Sequence, residues 1–192
     1  MNFDDYSHTL SGIRRYYPVS NDSIQAMFSH LIPQQFPKHH HLTQPGVRDN
    51  YLYFIEQGCT RTYLLIEGKE ITNWFSQQGD MVFSSHALYH RTAGFEYVQL
   101  LEDSLIYVMP IDALDQLYQT HIDIANWSRV IHQEVLLRMQ TLRLDRLSLT
   151  AKERYEKFQR EQPDLMNRVN LGYIASYLGM SQPHLSSLRA EL

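Results

Sequence analysis

Cys59 is the only cysteine in 192 residues. That scarcity excludes an intrachain disulfide, a cysteine-rich zinc site and an iron–sulfur cluster held by four thiolates of one chain. No run of eighteen apolar residues occurs, so no segment reads as a membrane-spanning helix. The opening Met1-Asn2-Phe3-Asp4-Asp5 lacks the basic-then-apolar pattern of a secretory leader, and the cytoplasm is the expected location. Paired carboxylates, an activated serine and a phosphate-cradling glycine loop are also missing, so neither an enzyme nor a bound cofactor is expected. Nor is there an excess of positive charge: 17 Lys and Arg stand against 21 Asp and Glu, a net of −4. The balance is uneven along the chain, with 7 basic and 14 acidic residues up to position 125 but 7 and 5 from 146 onward. This basic drift toward the end is too weak to indicate or exclude nucleic acid by itself.

What is present is 43% apolar content, enough to bury a core, arranged in two grammars. Ser20 to Ile32 reads as a short helix with Ile24, Met27, Phe28 and Leu31 at helical spacing and Ser20 or Asp22 as its cap. From Lys38 to Pro110 the chain shows short β-branched and aromatic runs: Tyr51–Ile55, Thr62–Ile66, Ile71–Phe75, Met81–Phe83, Tyr97–Leu101 and Leu105–Met109. Between them lie Pro45-Gly46, Gln57-Gly58, Glu67-Gly68-Lys69 and Gln78-Gly79-Asp80, which are turn sequences. Evenly spaced short strands predict a sandwich or barrel. After Asp112, a possible cap for a helix with Leu114, Leu117 and Tyr118, the pattern turns helical. A long helix is expected over 123–147, free of proline and glycine. Trp127, Ile131, Val135 and Leu142 lie on one side of it, while Val130, Leu137 and Leu144 recur every seven residues on another. One face fits the barrel, and the other fits the same helix of a second subunit.

Leu171 to Leu192 carries the most specific pattern. Two helices joined by a tight turn need a small residue where they cross and a glycine in the turn; Ala175 and Gly179 stand at those offsets. Ile174, Leu178, Met180, Leu185 and Leu188 can form a shared core, Ser181 can cap the second helix, and Pro183 falls in its first turn. Thr150 to Gln159 reads as a supporting helix with Tyr155 and Phe158 inward.

Leu149-Thr150-Ala151-Lys152-Glu153-Arg154-Tyr155, Pro163, Ile174 to Ser181 and Leu185 to Arg189 together resemble the DNA-binding end of Crp/Fnr-type regulators. Tyr53 to Arg61 and Glu67-Gly68-Lys69-Glu70 resemble β-roll hairpins of that family's cyclic-nucleotide-binding-type domain. The resemblance implies an α+β chain: an N-terminal β-roll (a double-stranded β-helix or jelly roll) over 1–122, a dimerisation helix over 123–147 and a helix-turn-helix domain over 148–192. It implies a homodimer on a roughly palindromic duplex DNA operator, with Val130, Leu137 and Leu144 at the dimer interface. Gln182, His184, Ser186 and Ser187 are expected at base edges, and Arg189 at phosphate with Arg154 or Lys157 as weaker candidates.

The sequence departs from the family's pattern in three places. The stretch Phe83 to Gly94 lacks the Gly-Glu pair of nucleotide-binding members, although Arg91-Thr92-Ala93 echoes the arginine half. Cyclic-AMP binding in the usual way is therefore not expected, and Ser84, Ser85, Arg91 and Thr92 remain candidates for a pocket taking another small-molecule effector. Such an effector would act by altering the tilt of the long helices. Gln182, His184 and Ser187 replace the family's base-reading arginines and glutamate, so a different operator is expected; a chain stopping at Leu192 would lack the β-wing. Two alternatives stand beside this reading: a regulator responding to cyclic nucleotides, and a cupin-like metal-binding enzyme. The second rests on His39 and His41, which strand alternation would put on one face, but no carboxylate follows nearby and no metal site is expected.

Overall fold

The computed structural model describes residues 6–190. The chain divides into two compact units, one comprising residues up to Thr62 with Phe75–Gln133, the other Tyr63–Trp74 with Glu134–Leu192.

The first unit is a jelly-roll-like pair of antiparallel sheets with helices. Its elements are helices α1 (Ser7–Tyr16) and α2 (Asn21–Phe28), then strands β1 (Ile32–Phe36), β2 (His41–Thr43) and β3 (Tyr51–Gln57), and the bases of β4 (Cys59–Ile66) and β5 (Lys69–Gln77). There follow β6 (Met81–Phe83), α3 (Ser85–His90), β7 (Tyr97–Leu100), β8 (Ser104–Pro110), α4 (Ile111–Thr120) and the start of α5 (Ile122–Ser148). The strands are ordered β1-β8-β3-β6 and β2-β7-β4-β5.

Strand β3 is buried at Leu52 through Glu56 without alternation, because both faces of its sheet are covered. Tyr53 and Ile55 point inward with their partners Val108 and Ile106, meeting Val98 and Leu100 of the other sheet. Leu52 and Phe54 point the other way, with Tyr107 and Met109, onto Ile24, Phe28, Leu114 and Trp127 of the helices. The two-residue period of a strand thus feeds two cores at once.

Helix α1 had little sequence signal, since its buried residues are only Thr9, Gly12 and Ile13. Tertiary contacts hold it in place. The Glu56 carboxylate of β3 accepts from the amides of His8 (3.0 Å) and Thr9 (2.9 Å), which a helix start leaves unsatisfied. Gly12 lies so close to the turn before β6 that a Cβ there would fall 1.8 Å from the Gly79 carbonyl oxygen.

Several boundaries differ from expectation. Helix α2 is capped by Ser20 as predicted but ends at Phe28, and Ile32-Pro33 begin β1 instead. Proline is tolerated there because β1 is an edge strand, where a missing donor breaks no ladder. Asp112 lies in the first turn of α4 but does not cap it; Pro110 occupies that position. His39 is not on a strand: its φ of 71° puts it in the turn before β2. His39 and His41 therefore do not share a strand face, and His41 sits edge-on to Tyr97. Among the described residues no group of three or more His, Cys, Asp or Glu is placed to hold a metal ion. Among the described residues no helix is long and apolar enough to cross a membrane.

The second unit contains the tip of the β4–β5 hairpin, the rest of α5, and helices α6 (Ala151–Glu161), α7 (Leu165–Arg168), α8 (Leu171–Leu178) and α9 (Gln182–Ala190). At the hairpin tip Glu67 and Gly68 both have positive φ, 50° and 76°, as a two-residue turn matching strand twist requires. Helix α6 opens with a full capping box: Thr150 accepts from the Glu153 amide and Glu153 accepts from the Thr150 amide. Tyr155 and Phe158 are buried, as expected.

Candidate nucleic-acid interface and sensor residues

The helix pair α8–α9 is built by local rules. Asn170 opens α8 by accepting from the Gly172 amide at 2.7 Å. Gly179 ends it in the left-handed conformation, φ 70° and ψ 39°, while the Met180 amide reaches back to Ala175 O and the Gly179 amide to Ser176 O. This is a Schellman closure, which favours glycine because a Cβ is costly at positive φ. Ser181 then caps α9, accepting from the His184 amide at 3.3 Å. Ala175, Ile174 and Leu178 of α8 are buried, as are Leu185 and Leu188 of α9.

Burial of Leu185 and Leu188 fixes which side of α9 faces outward. Gln182, Pro183, His184, Ser186, Ser187 and Arg189 are all exposed. Their side chains are not equivalent. Gln182 leans back over the start of α8, where a Cβ on Gly172 would lie 2.9 Å from its Oε1. The Ser187 hydroxyl donates to Pro183 O within its own helix at 3.2 Å.

Arg154 and Lys157, the weaker phosphate candidates, are engaged within the unit. Arg154 Nε donates to Leu178 O (2.9 Å) and its Nη1 to Leu149 O (2.7 Å), while Lys157 pairs with Asp145 at 2.6 Å. Arg146 donates to Tyr177 O at 2.8 Å. Two arginines therefore neutralise the carbonyl end of α8, where the helix dipole favours cations.

One further contact has no signature in the local sequence pattern. The Ser176 hydroxyl accepts from the Thr72 amide (2.9 Å) and donates to Glu70 O (3.1 Å) of the hairpin tip. Strand β5 ends its sheet, so these backbone groups face outward and lack a neighbouring strand. Arg138 of α5 stacks over the Trp74 ring at 4.6 Å.

On α5, Trp127 and Ile131 are buried and Val130 is half-buried. Leu137 and Leu144 of the seven-residue series are 55% and 62% exposed, flanked by Leu136 at 58% and Leu147 at 74%. Non-polar side chains thus continue past the core along a helix face with no partner among the described residues.

The candidate effector residues cluster around α3. Ser84 precedes the helix and is buried, with its hydroxyl so near Gly94 that a Cβ there would lie 2.6 Å away. Ser85 starts the helix, Arg91 ends it in the left-handed conformation, and Thr92 is exposed. Arg91 forms ion pairs with Asp115 and, at 3.6 Å, with Asp112 of α4. Nearby Glu96 is held above its ordinary pKa by burial, partly offset by His86. Within the barrel Arg61 is 2% exposed and donates to Gln99 Oε1 at 3.0 Å.

Residues 33–121 match the family model of the cyclic nucleotide-binding domain. No curated protein sequence matches the chain. Among solved structures, the c-di-GMP-responsive global regulator CLP of Xanthomonas campestris superposes with a TM-score of 0.71 at 16% identity, over 90% of this chain and 91% of that one. A protein of Eubacterium rectale described as a transcriptional regulator of the Crp/Fnr family gives 0.71 at 16% identity, over 92% and 87%. The catabolite activator protein of Thermus thermophilus gives 0.60 at 16% identity, over 94% and 86%. At these identities the likeness is one of fold, and the fold is that of Crp-like regulators.

Proposed function

We propose that the chain is a DNA-binding transcription regulator of Crp/Fnr type, acting in the cytoplasm as a homodimer on a roughly palindromic operator. Residues 1–122 serve as sensor, 123–147 as dimerisation helix and 148–192 as helix-turn-helix domain. The observation that carries this reading is the α8–Gly179–α9 closure, which buries Leu185 and Leu188 and leaves the opposite side of α9 open. A helix presented in this way enters a major groove with its first turns against base edges. Gln182, His184, Ser186 and Ser187 supply mixed donors and acceptors there, and Arg189 supplies a phosphate contact. Val130, Leu137 and Leu144 pack against their counterparts in a second subunit, giving the two reading heads a two-fold relation.

Selection of bound sequences from a random duplex pool tests the reading. Enrichment of an inverted repeat is the expected result; no enrichment at low salt refutes it. The match at residues 33–121 favours a second reading for the sensor, a response to cyclic nucleotides. The engagement of Arg91 by Asp112 and Asp115 weighs against it, since a phosphate would have to displace both carboxylates. Calorimetric titration with cyclic AMP decides between the two.

A further inference from the structure

Helix α5 carries Ala125, Ser128, Arg129 and His132 at i, i+3, i+4 and i+7, one stripe of the helix. The stripe faces away from Val130, about half a turn around. A packed helix carries bulky apolar side chains at such positions. Here the small and polar ones leave an open cleft of about 470 Å³ between α5, α3 and α4, bordered by Leu88 and Tyr89 of α3 and Tyr118 of α4. That volume is within the range of about 300–1,000 Å³ of small-molecule sites.

The polar groups around it are specific. Tyr118 Oη and Ser128 Oγ are 2.6 Å apart, and His132 Nδ1 lies 3.4 Å from the same Ser128 oxygen. Burial depresses the His132 pKa, favouring the neutral imidazole, and its ring is edge-on to Tyr89. Asp115 also lines the cleft, but its charge is matched by Arg91. Arg129 has as its partner the neutral Gln133 side chain, at 3.0 Å, and no carboxylate pairs with it among the described residues. The cleft therefore offers apolar and aromatic walls, a hydroxyl pair and one uncompensated guanidinium.

We propose that this cleft is the effector site and that it takes a small organic monocarboxylate with an apolar, preferably aromatic, body. The ring lies between Leu88, Tyr89 and Tyr118, and the carboxylate meets Arg129, which can hold it by two parallel hydrogen bonds. A phosphate dianion is disfavoured, because one guanidinium beside apolar walls does not replace its hydration. The site rests on the regulatory reading only in being called an effector site, since binding can be measured without DNA.

The test is calorimetric titration of the full chain with benzoate, benzyl alcohol and cyclic AMP. The expected result is saturable benzoate binding, weakened about tenfold or more when the carboxylate is replaced by the alcohol or in Arg129→Gln. Ala125→Leu fills the space and is expected to abolish binding while the melting temperature stays within a few degrees. Arg129 is exposed, so its variant reports binding and not folding. Absence of saturation with benzoate overturns the proposal, as does unchanged benzoate affinity in Arg129→Gln or cyclic AMP competing for the same site. A failed DNA selection with intact benzoate binding overturns the DNA reading and leaves the site standing.

Discussion

Leu137→Ala is the sharpest perturbation of the proposed dimer. The side chain is 55% exposed in the single chain, so truncating it leaves the protomer's own core nearly intact. In a two-fold interface each substitution acts twice, once from each subunit. Removing most of a leucine side chain from a buried contact costs about 2 kcal/mol, hence about 4 kcal/mol per dimer. At about 1.4 kcal/mol per tenfold, the dimer dissociation constant should rise about a thousandfold. Sedimentation velocity across a concentration series measures this directly, with far-ultraviolet circular dichroism and the melt of the dissociated protomer as controls for the fold. A wild-type chain that is monomeric at tens of micromolar refutes the reasoning. So does a Leu137→Ala variant that dissociates at the wild-type concentration, because the heptad face would then not be the contact. Leu144→Ala, 62% exposed, should behave the same way.

Gly179→Ala should destabilise the helix pair by about 1–2 kcal/mol, since the residue sits at φ 70°; urea unfolding followed by circular dichroism checks this, and an unchanged midpoint would contradict it. Asp49 is 8% exposed and burial raises its pKa to about 6, with hydrogen bonds from Tyr53 and Tyr51 opposing the shift. A carboxyl with a raised folded-state pKa keeps its proton longer in the folded state. Stability should therefore decline as pH rises from about 4 to 6 and level off above, by an amount on the order of 3 kcal/mol. Asp49→Asn should remove that part of the slope in unfolding measured against pH. Arg189→Ala should weaken DNA binding similarly for all sequences and lower the salt slope by about one, whereas His184→Ala should relax preference at one base position in a competition assay. Ser176→Ala should speed hydrogen exchange at the Thr72 amide, which loses its 2.9 Å acceptor; unchanged protection would mean the contact is not held in solution.

The sequence made the architecture legible where a periodic or conformational rule was strong. The six apolar runs between 51 and 109 mark six strands, Tyr97–Leu101 overshooting β7 by one residue, and the expected 123–147 helix spans Ile122–Ser148. Gly179, Ser181 and Thr150 do the turning and capping their types suggest, because those roles depend on a few adjacent backbone groups. Features set by distant contacts were not legible. Helix α1 depends on a carboxylate at Glu56, nearly fifty residues away. Helix α3 lies in a stretch whose sequence shows only the arginine half of a nucleotide cassette, and Arg91 turns to α4 through acids at Asp112 and Asp115 that nothing in the local pattern connects to it. Arg154 looked available to phosphate because sequence cannot show that the carbonyl of Leu178 lies beside it. His39 and His41 looked like a strand pair because alternation was assumed where the chain makes a turn.

The two bonds at Ser176 also guard against self-association. The outer border of β5 offers a row of main-chain donors and acceptors, and the adjoining Leu65 and Ile66 are 55% and 51% exposed, a combination that invites an extra strand from a stranger. One hydroxyl occupies both Glu70 and Thr72 and makes docking there compete with a pre-existing partner. A polypeptide cut short before α8 would keep the oily hairpin but lose its cover, and should form β-rich aggregates that the 192-residue chain does not.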